Sequence, residues 1–202
     1  LFNFKRFNLL IFNLFCVAGL GIAQSSDNIP APEGPFIDGK KSGEWVYFYP
    51  NGEKSAVEHY KNGVLWGSVV YYMPDGTKSA QENWENGILE DSAFYYHDNG
   101  LLEKEGVYQN GNYHGVWRFY YPDGQLKRVG DYRDGLPHGE WDFYYENGKV
   151  WQEGAYTEGL EDGLWQFFRE DGTLEYEGHY EKGERVGKWY YFTPKGKRKR
   201  WK

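Results

Sequence analysis

From Asp38 onward, aromatic and aliphatic residues arrive in short blocks that alternate with polar, glycine-bearing segments. Residues 134–157, DGLPHGEWDFYYENGKVWQEGAYT, show the pattern. Alternating inward and outward positions predict a short aromatic-rich strand over 140–146 and a return strand over 149–156. Glu146-Asn147-Gly148 is the turn between them, because Asn, Asp and Gly tolerate positive φ. Its counterparts are Pro50-Asn51-Gly52, Pro74-Asp75-Gly76, Pro122-Asp123-Gly124 and Glu170-Asp171-Gly172. The link Asp134-Gly135-Leu136-Pro137-His138-Gly139 reads as a longer turn with a glycine near each end.

The block recurs without insertion or deletion. In steps of 24, units begin at 38, 62, 86, 110, 134, 158 and 182. Glycine takes the second place in each (Gly39, Gly63, Gly87, Gly111, Gly135, Gly159, Gly183) and again thirteen residues later. The predicted fold is all-β: an elongated array of seven 24-residue hairpins in one twisted, coiled antiparallel sheet over residues 38–202. Residues 24–37 fall outside this count and read as a Pro-rich leader.

Rings hold fixed places in the unit. Trp45, Trp117, Trp141, Trp165 and Trp189 share one position, with Val69 and Ala93 as exceptions. Two residues on, every unit carries Tyr or Phe, as at Tyr47, Phe143 and Tyr191, on the same strand face. Tyr60, Trp84, Tyr108, Tyr132, Tyr156 and Tyr180 mark the return strand. Such rings are expected to form ladders in which each meets its counterpart in the next unit. Phe48, Tyr72, Tyr96, Tyr120, Tyr144, Phe168 and Phe192 point to the opposite face. A one-sided sheet would expose them, so Tyr120 and Tyr144, with the adjoining Tyr49, Tyr121 and Tyr145, are the candidate partner-binding residues.

Composition sharpens this picture. One residue in five is aromatic while mean hydropathy is −0.83, so rings rather than aliphatic side chains supply the core. Cys16 is the only cysteine, which removes internal disulfides and Cys-based metal clusters. Residues 1–23 carry Lys5 and Arg6, then an apolar run, then small residues at Gly21 and Ala23. That reads as a Sec signal peptide directing export to the periplasm, the outer membrane or the medium.

The formal charge of −7 falls to −9 without Lys5 and Arg6, and to −15 when the six cations of the tail 195–202 are also set aside. So acidic a body argues against nucleic acid as the partner. The tail itself, Lys195, Lys197, Arg198, Lys199, Arg200 and Lys202, is a candidate contact for an anionic surface such as lipid headgroups. Its structural alternative is a charged cap on the last strand's edge.

The run Tyr132-Arg133-Asp134-Gly135-Leu136-Pro137-His138-Gly139-Glu140-Trp141 resembles the core of the MORN repeat. Phe119 to Tyr132, reading F-Y-Y-x-D-G and then L-x-x-x-G-x-Y, is similar to the bacterial MORN variant typical of the YwqK-like antitoxin family. The third unit departs from it, with Asp91 and Ala93 where Gly and Trp are usual. The resemblance implies a hairpin array that mediates contacts, and an antitoxin role. Tandem Gly-aromatic hairpins also resemble choline-binding wall repeats, although here the return strand has Tyr where those place Trp.

Catalytic chemistry has no visible seat. His59, His97, His114, His138 and His179 are scattered, with His114 and His138 on equivalent link positions ~9.5 Å apart in a continuous sheet. That is too far for one metal ion. No G-x-S-x-G, P-loop or nucleophilic cysteine is present in the repeats. The expected function is a non-catalytic scaffold for another protein, with no cofactor and no metal. The alternatives are a glycan or cell-wall binding module using aromatic stacking and membrane association through the tail.

Overall fold

The structure, a computed structural model, describes residues 29–201. The signal-peptide reading of 1–23, the start of the leader and Lys202 lie outside the described residues. Within them all regular structure is β, and one open antiparallel sheet runs from Gly43–Phe48 to Arg198–Arg200. Each long strand pairs with the next in sequence: Leu136–Tyr144 with Val150–Thr157, and that with Leu160–Phe168. Seven hairpins stack in this way without a crossover, as the 24-residue period predicts.

The two turn types are the reverse of expectation. The tight turn is the link: Asp134 (φ 51°) and Gly135 (φ 79°) are both left-handed, and the strand resumes at Leu136. Two successive positive φ values make a type I′ turn, whose twist matches a hairpin. The place before the glycine keeps φ between 50° and 55° in every unit, even at Glu158 and Lys182. His114 and His138 therefore lie in strands rather than in loops. The Asn-Gly turn is the longer one. Gly148 N–H donates to Tyr145 O, Tyr145 N–H donates to Lys149 O, and only Gly148 is left-handed. Asn147 serves there as an acceptor for Lys149 N–H.

The second glycine of the link makes a bulge. Gly130 pairs with Trp141 and Asp131 with His138, so Gly139 and Glu140 are extra on their strand. Gly139 has φ 67°; in the third unit Asp91 takes the same 67°, its Oδ1 accepting from Ser92 N–H. The departure from glycine at that position is thus absorbed locally.

The core lies on a single face, called here the tryptophan face. Trp117, Trp141 and Trp165 are essentially fully buried although no second layer among the described residues covers them. Their burial comes from the return strand of the preceding unit. Trp141 lies across Gly130, where an added Cβ would sit 2.1 Å from the indole. Gly106 under Trp117, Gly154 under Trp165 and Gly178 under Trp189 repeat the arrangement. Indole N–H groups of Trp117, Trp141 and Trp165 donate to Val107, Asp131 and Ala155 carbonyls.

Equivalent rings do not meet, contrary to the ladder expectation, since they are two strand spacings apart. Rungs alternate instead: Tyr108–Trp117, Tyr132–Trp141, Tyr156–Trp165 and Tyr180–Trp189 each meet edge to face at 5.1 Å.

The described part of the leader continues the repeat. Glu33 exchanges backbone hydrogen bonds with Val46, Gly34 lies under the Trp45 indole, and Phe36 meets Trp45 edge to face at 4.8 Å. Trp45 Nε1–H donates to Pro35 O. Gly34 and Phe36 lie 24 residues before Glu58 and Tyr60, so this stretch is the return strand of a half unit that caps the first hairpin. Proline had hidden it: Pro30, Pro32 and Pro35 mask a Gly-x-aromatic signature.

Candidate functional site

Tyr49, Tyr120, Tyr121, Tyr144 and Tyr145 are all half-buried. Three of them clip neighbouring units together. Tyr49 donates its hydroxyl to Tyr72 O at 2.7 Å, Tyr121 to Tyr144 O at 2.8 Å and Tyr145 to Phe168 O at 2.8 Å. His97 and Arg169 hold the same place and reach the Tyr120 and Phe192 carbonyls. Tight-turn glycines stitch the other rim, with Gly135 N–H donating to Tyr113 O and Gly159 N–H to Pro137 O.

Tyr120 and Tyr144 belong to the opposite face, each beside a carboxylate. Tyr120 donates to Glu105 Oε1 at 2.7 Å, and burial followed by Glu105 pushes its phenol up to about 12. Tyr144 donates to Asp142 Oδ2 at 3.4 Å. Asp142 is the direct cross-strand partner of Glu153, and Glu140 lies on the same face. Burial, then Asp142 and Glu140, hold the Glu153 carboxyl above its ordinary range. Like charges placed opposite one another destabilise a sheet, so this face carries an internal electrostatic cost.

On the tryptophan face the ladder breaks in units two and three. Val69 and Ala93 replace tryptophan, and the residues beneath them are Glu58 and Glu82 rather than glycine. Glu82 is nearly buried and accepts from Tyr95 Oη at 2.7 Å and Trp84 Nε1 at 3.1 Å. Glu58 accepts from Tyr60 Oη, which also contacts Tyr47 Oη at 3.1 Å. These carboxylates are satisfied within the chain and bind the polar end of the core together.

The basic tail forms an edge strand, Arg198–Arg200, paired with Glu184–Phe192. Its cations do not make one row. Arg198 pairs with Glu177 at 3.0 Å and lies over Tyr190, Lys199 falls opposite Tyr191 on the tryptophan face, and Lys195 and Lys197 belong to the last turn. Among the described residues no cluster of His, Cys, Asp and Glu is built to hold a metal ion.

Beside the tail lies a site that sequence reasoning passed over. Trp151 and Trp201 are 38 % and 37 % exposed and line a common cleft of about 100 Å³. Phe167 and Tyr176 line it too, with Glu175 and Arg185. Trp201 packs on Tyr176 at 4.6 Å, and Arg185 lies over both Trp189 (4.3 Å) and Trp201 (5.1 Å). Arg169 holds Glu175 at 3.5 Å. The signal was present in the repeat: sister units carry Ser55, Ser79, Glu103, Lys127, Glu175 and Lys199 where the fifth has Trp151.

Five units keep the tight-turn glycine, the bulge glycine and a buried tryptophan. Four of the five resemble repeats of the MORN variant. The MORN repeat variant matches residues 41–62, 113–134, 137–158 and 161–182. Two of the units left unmatched are those in which Val69 and Ala93 interrupt the MORN tryptophan ladder. No curated protein matches the chain.

Proposed function

We propose that this MORN-repeat chain is a non-catalytic, exported scaffold that binds another protein along the opposite face of its sheet. The observation that carries this reading is the face itself. Half-exposed rings at Tyr120, Tyr144 and Phe168 alternate with Glu105, Asp142 and Glu153, and Asp142 and Glu153 face each other directly across the strands. A partner presenting Lys or Arg beside apolar groups would relieve that repulsion and cover the rings. Export rests on the basic and apolar composition of residues 1–23. An antitoxin-like role, which the family resemblance alone implies, is the case in which that partner is a single toxin.

Site-directed photo-crosslinking in intact cells tests the reading. A photo-reactive residue at position 142 or 166 is expected to trap one defined protein, and one at position 152 on the tryptophan face is expected to trap none. Equal labelling from both faces, or none from 142 and 166, contradicts it. Glycan binding is the second reading, favoured by the Trp151–Trp201 cleft.

A further inference from the structure

We infer that the cleft lined by Trp151 and Trp201 binds a neutral glycan, each indole offering its plane to the sugar chain. Both tryptophans are departures from the repeat. Trp151 stands on the bulge of its strand, where Phe143 and Tyr145 contact it at 6.3 Å yet leave 38 % of it exposed. Trp201 takes the position across from Trp189, its N–H donating to Trp189 O, where the preceding units place glycine across from tryptophan. Neither ring is needed to complete the ladder, whose rungs are Tyr–Trp pairs already closed by Tyr180 and Trp189.

The lining selects the chemistry. Aromatic planes offer an apolar face to the C–H surface of a sugar ring, while planar polar side chains meet its hydroxyls. Glu175 and Arg185 supply an acceptor and a donor array of that kind. Glu175 is paired with Arg169 at 3.5 Å and Arg185 lies over Trp189 and Trp201, so the charges at the cleft are engaged within the chain. An uncharged ring is the ligand that can bind there without breaking an ion pair, whereas a cation or an anion would compete for one of these partners. The cleft is shallow, so a single ring binds weakly and a chain of sugars extends past it. This inference does not depend on the protein-binding reading, because the residues concerned lie on the tryptophan face and at its end.

Intrinsic tryptophan fluorescence of the full chain, titrated with cello-, chito-, malto- and xylotetraose, tests it. At least one tetrasaccharide is expected to shift the emission with a Kd of about 1 mM or tighter. Trp151→Ser, the residue two sister units carry there, and Trp201→Ala are each expected to weaken binding about tenfold or more, with Trp66→Ala unchanged. Calorimetry on the same proteins separates lost affinity from a lost fluorescence signal, and circular dichroism confirms that the sheet is retained. Silence to all four sugars overturns the inference, as does undiminished binding by Trp151→Ser. A response to choline or to N-acetylphenylalaninamide without a sugar response also overturns it, pointing to a cation or to a protein side chain instead.

Discussion

Gly130 and Trp141 show how one residue's identity fixes another's. An indole can lie on the strand only where no Cβ intervenes, and the chain obeys this at every unit. Glycine at 34, 106, 130, 154 and 178 is followed eleven residues later by tryptophan, whereas Glu58 and Glu82 are followed by Val69 and Ala93. Gly130→Ala is therefore expected to lose about 2–3 kcal/mol in urea unfolding. In a Trp141→Val background the same change is expected to cost less than about 0.5 kcal/mol, a coupling that a double-mutant cycle measures. Equal costs in the two backgrounds would deny the pairing.

Buried phenols make a second residue-scale prediction. Burial pushes Tyr132 up to about 12, and burial followed by Glu82 and Glu58 does the same for Tyr71. An unfolded chain ionises its tyrosines near 10. Below that pH both states hold these protons and stability is at its full value. Between about 10 and 12 the unfolded state releases them first, so stability falls as pH rises, by ~1.4 kcal/mol per pH unit for Tyr132 alone. Thermal melts across this range are expected to show a steep alkaline decline that Tyr132→Phe makes shallower.

Among the elements, the hairpins were legible and their turns were not. Period-two aromatic blocks and invariant glycines located both strands of each unit within a few residues, because side-chain alternation and positive φ leave direct marks on sequence. The two turns exchanged roles because Asp-Gly and Asn-Gly are equally good signals for either. What separates them is the hydrogen-bond pattern across the turn: Asp134-Gly135 closes directly, whereas Asn147 accepts from Lys149 N–H inside a longer loop. Of the candidate residues, Tyr49, Tyr121 and Tyr145 share one place in the unit and Tyr120 and Tyr144 another. Sequence could not tell that Tyr49, Tyr121 and Tyr145 spend their hydroxyls on the next unit's backbone, because that contact depends on the stacking of units. The left-handed site before each tight-turn glycine yields a prediction at this scale. Glu158 sits there at φ 53°, where Asn is far better suited. Glu158→Asn is expected to raise stability by about 0.5–1 kcal/mol, read as an increase in the urea midpoint without a change in slope.

At the scale of the molecule, the described residues form a single-layer sheet with two unlike faces. The tryptophan face is its core, closed by glycine floors and edge-to-face rings and capped upstream by the half unit at Gly34 and Phe36. The opposite face and the Trp151–Trp201 cleft are the surfaces proposed for recognition. Stability in such an array accumulates from neighbour to neighbour, so the breaks at Val69 and Ala93 are bridged by the Glu58 and Glu82 networks rather than left open.

Hydroxyl-radical footprinting of the native chain, read tryptophan by tryptophan, tests this division most directly. Trp117, Trp141 and Trp165, at 0 %, 2 % and 2 % exposure, are expected to be strongly protected, and Trp66, Trp151 and Trp201, at 36 %, 38 % and 37 %, to be modified readily. Modification of Trp117, Trp141 and Trp165 as fast as the other three would contradict it, and would make the repeated aromatic block an open surface rather than the interior of the fold.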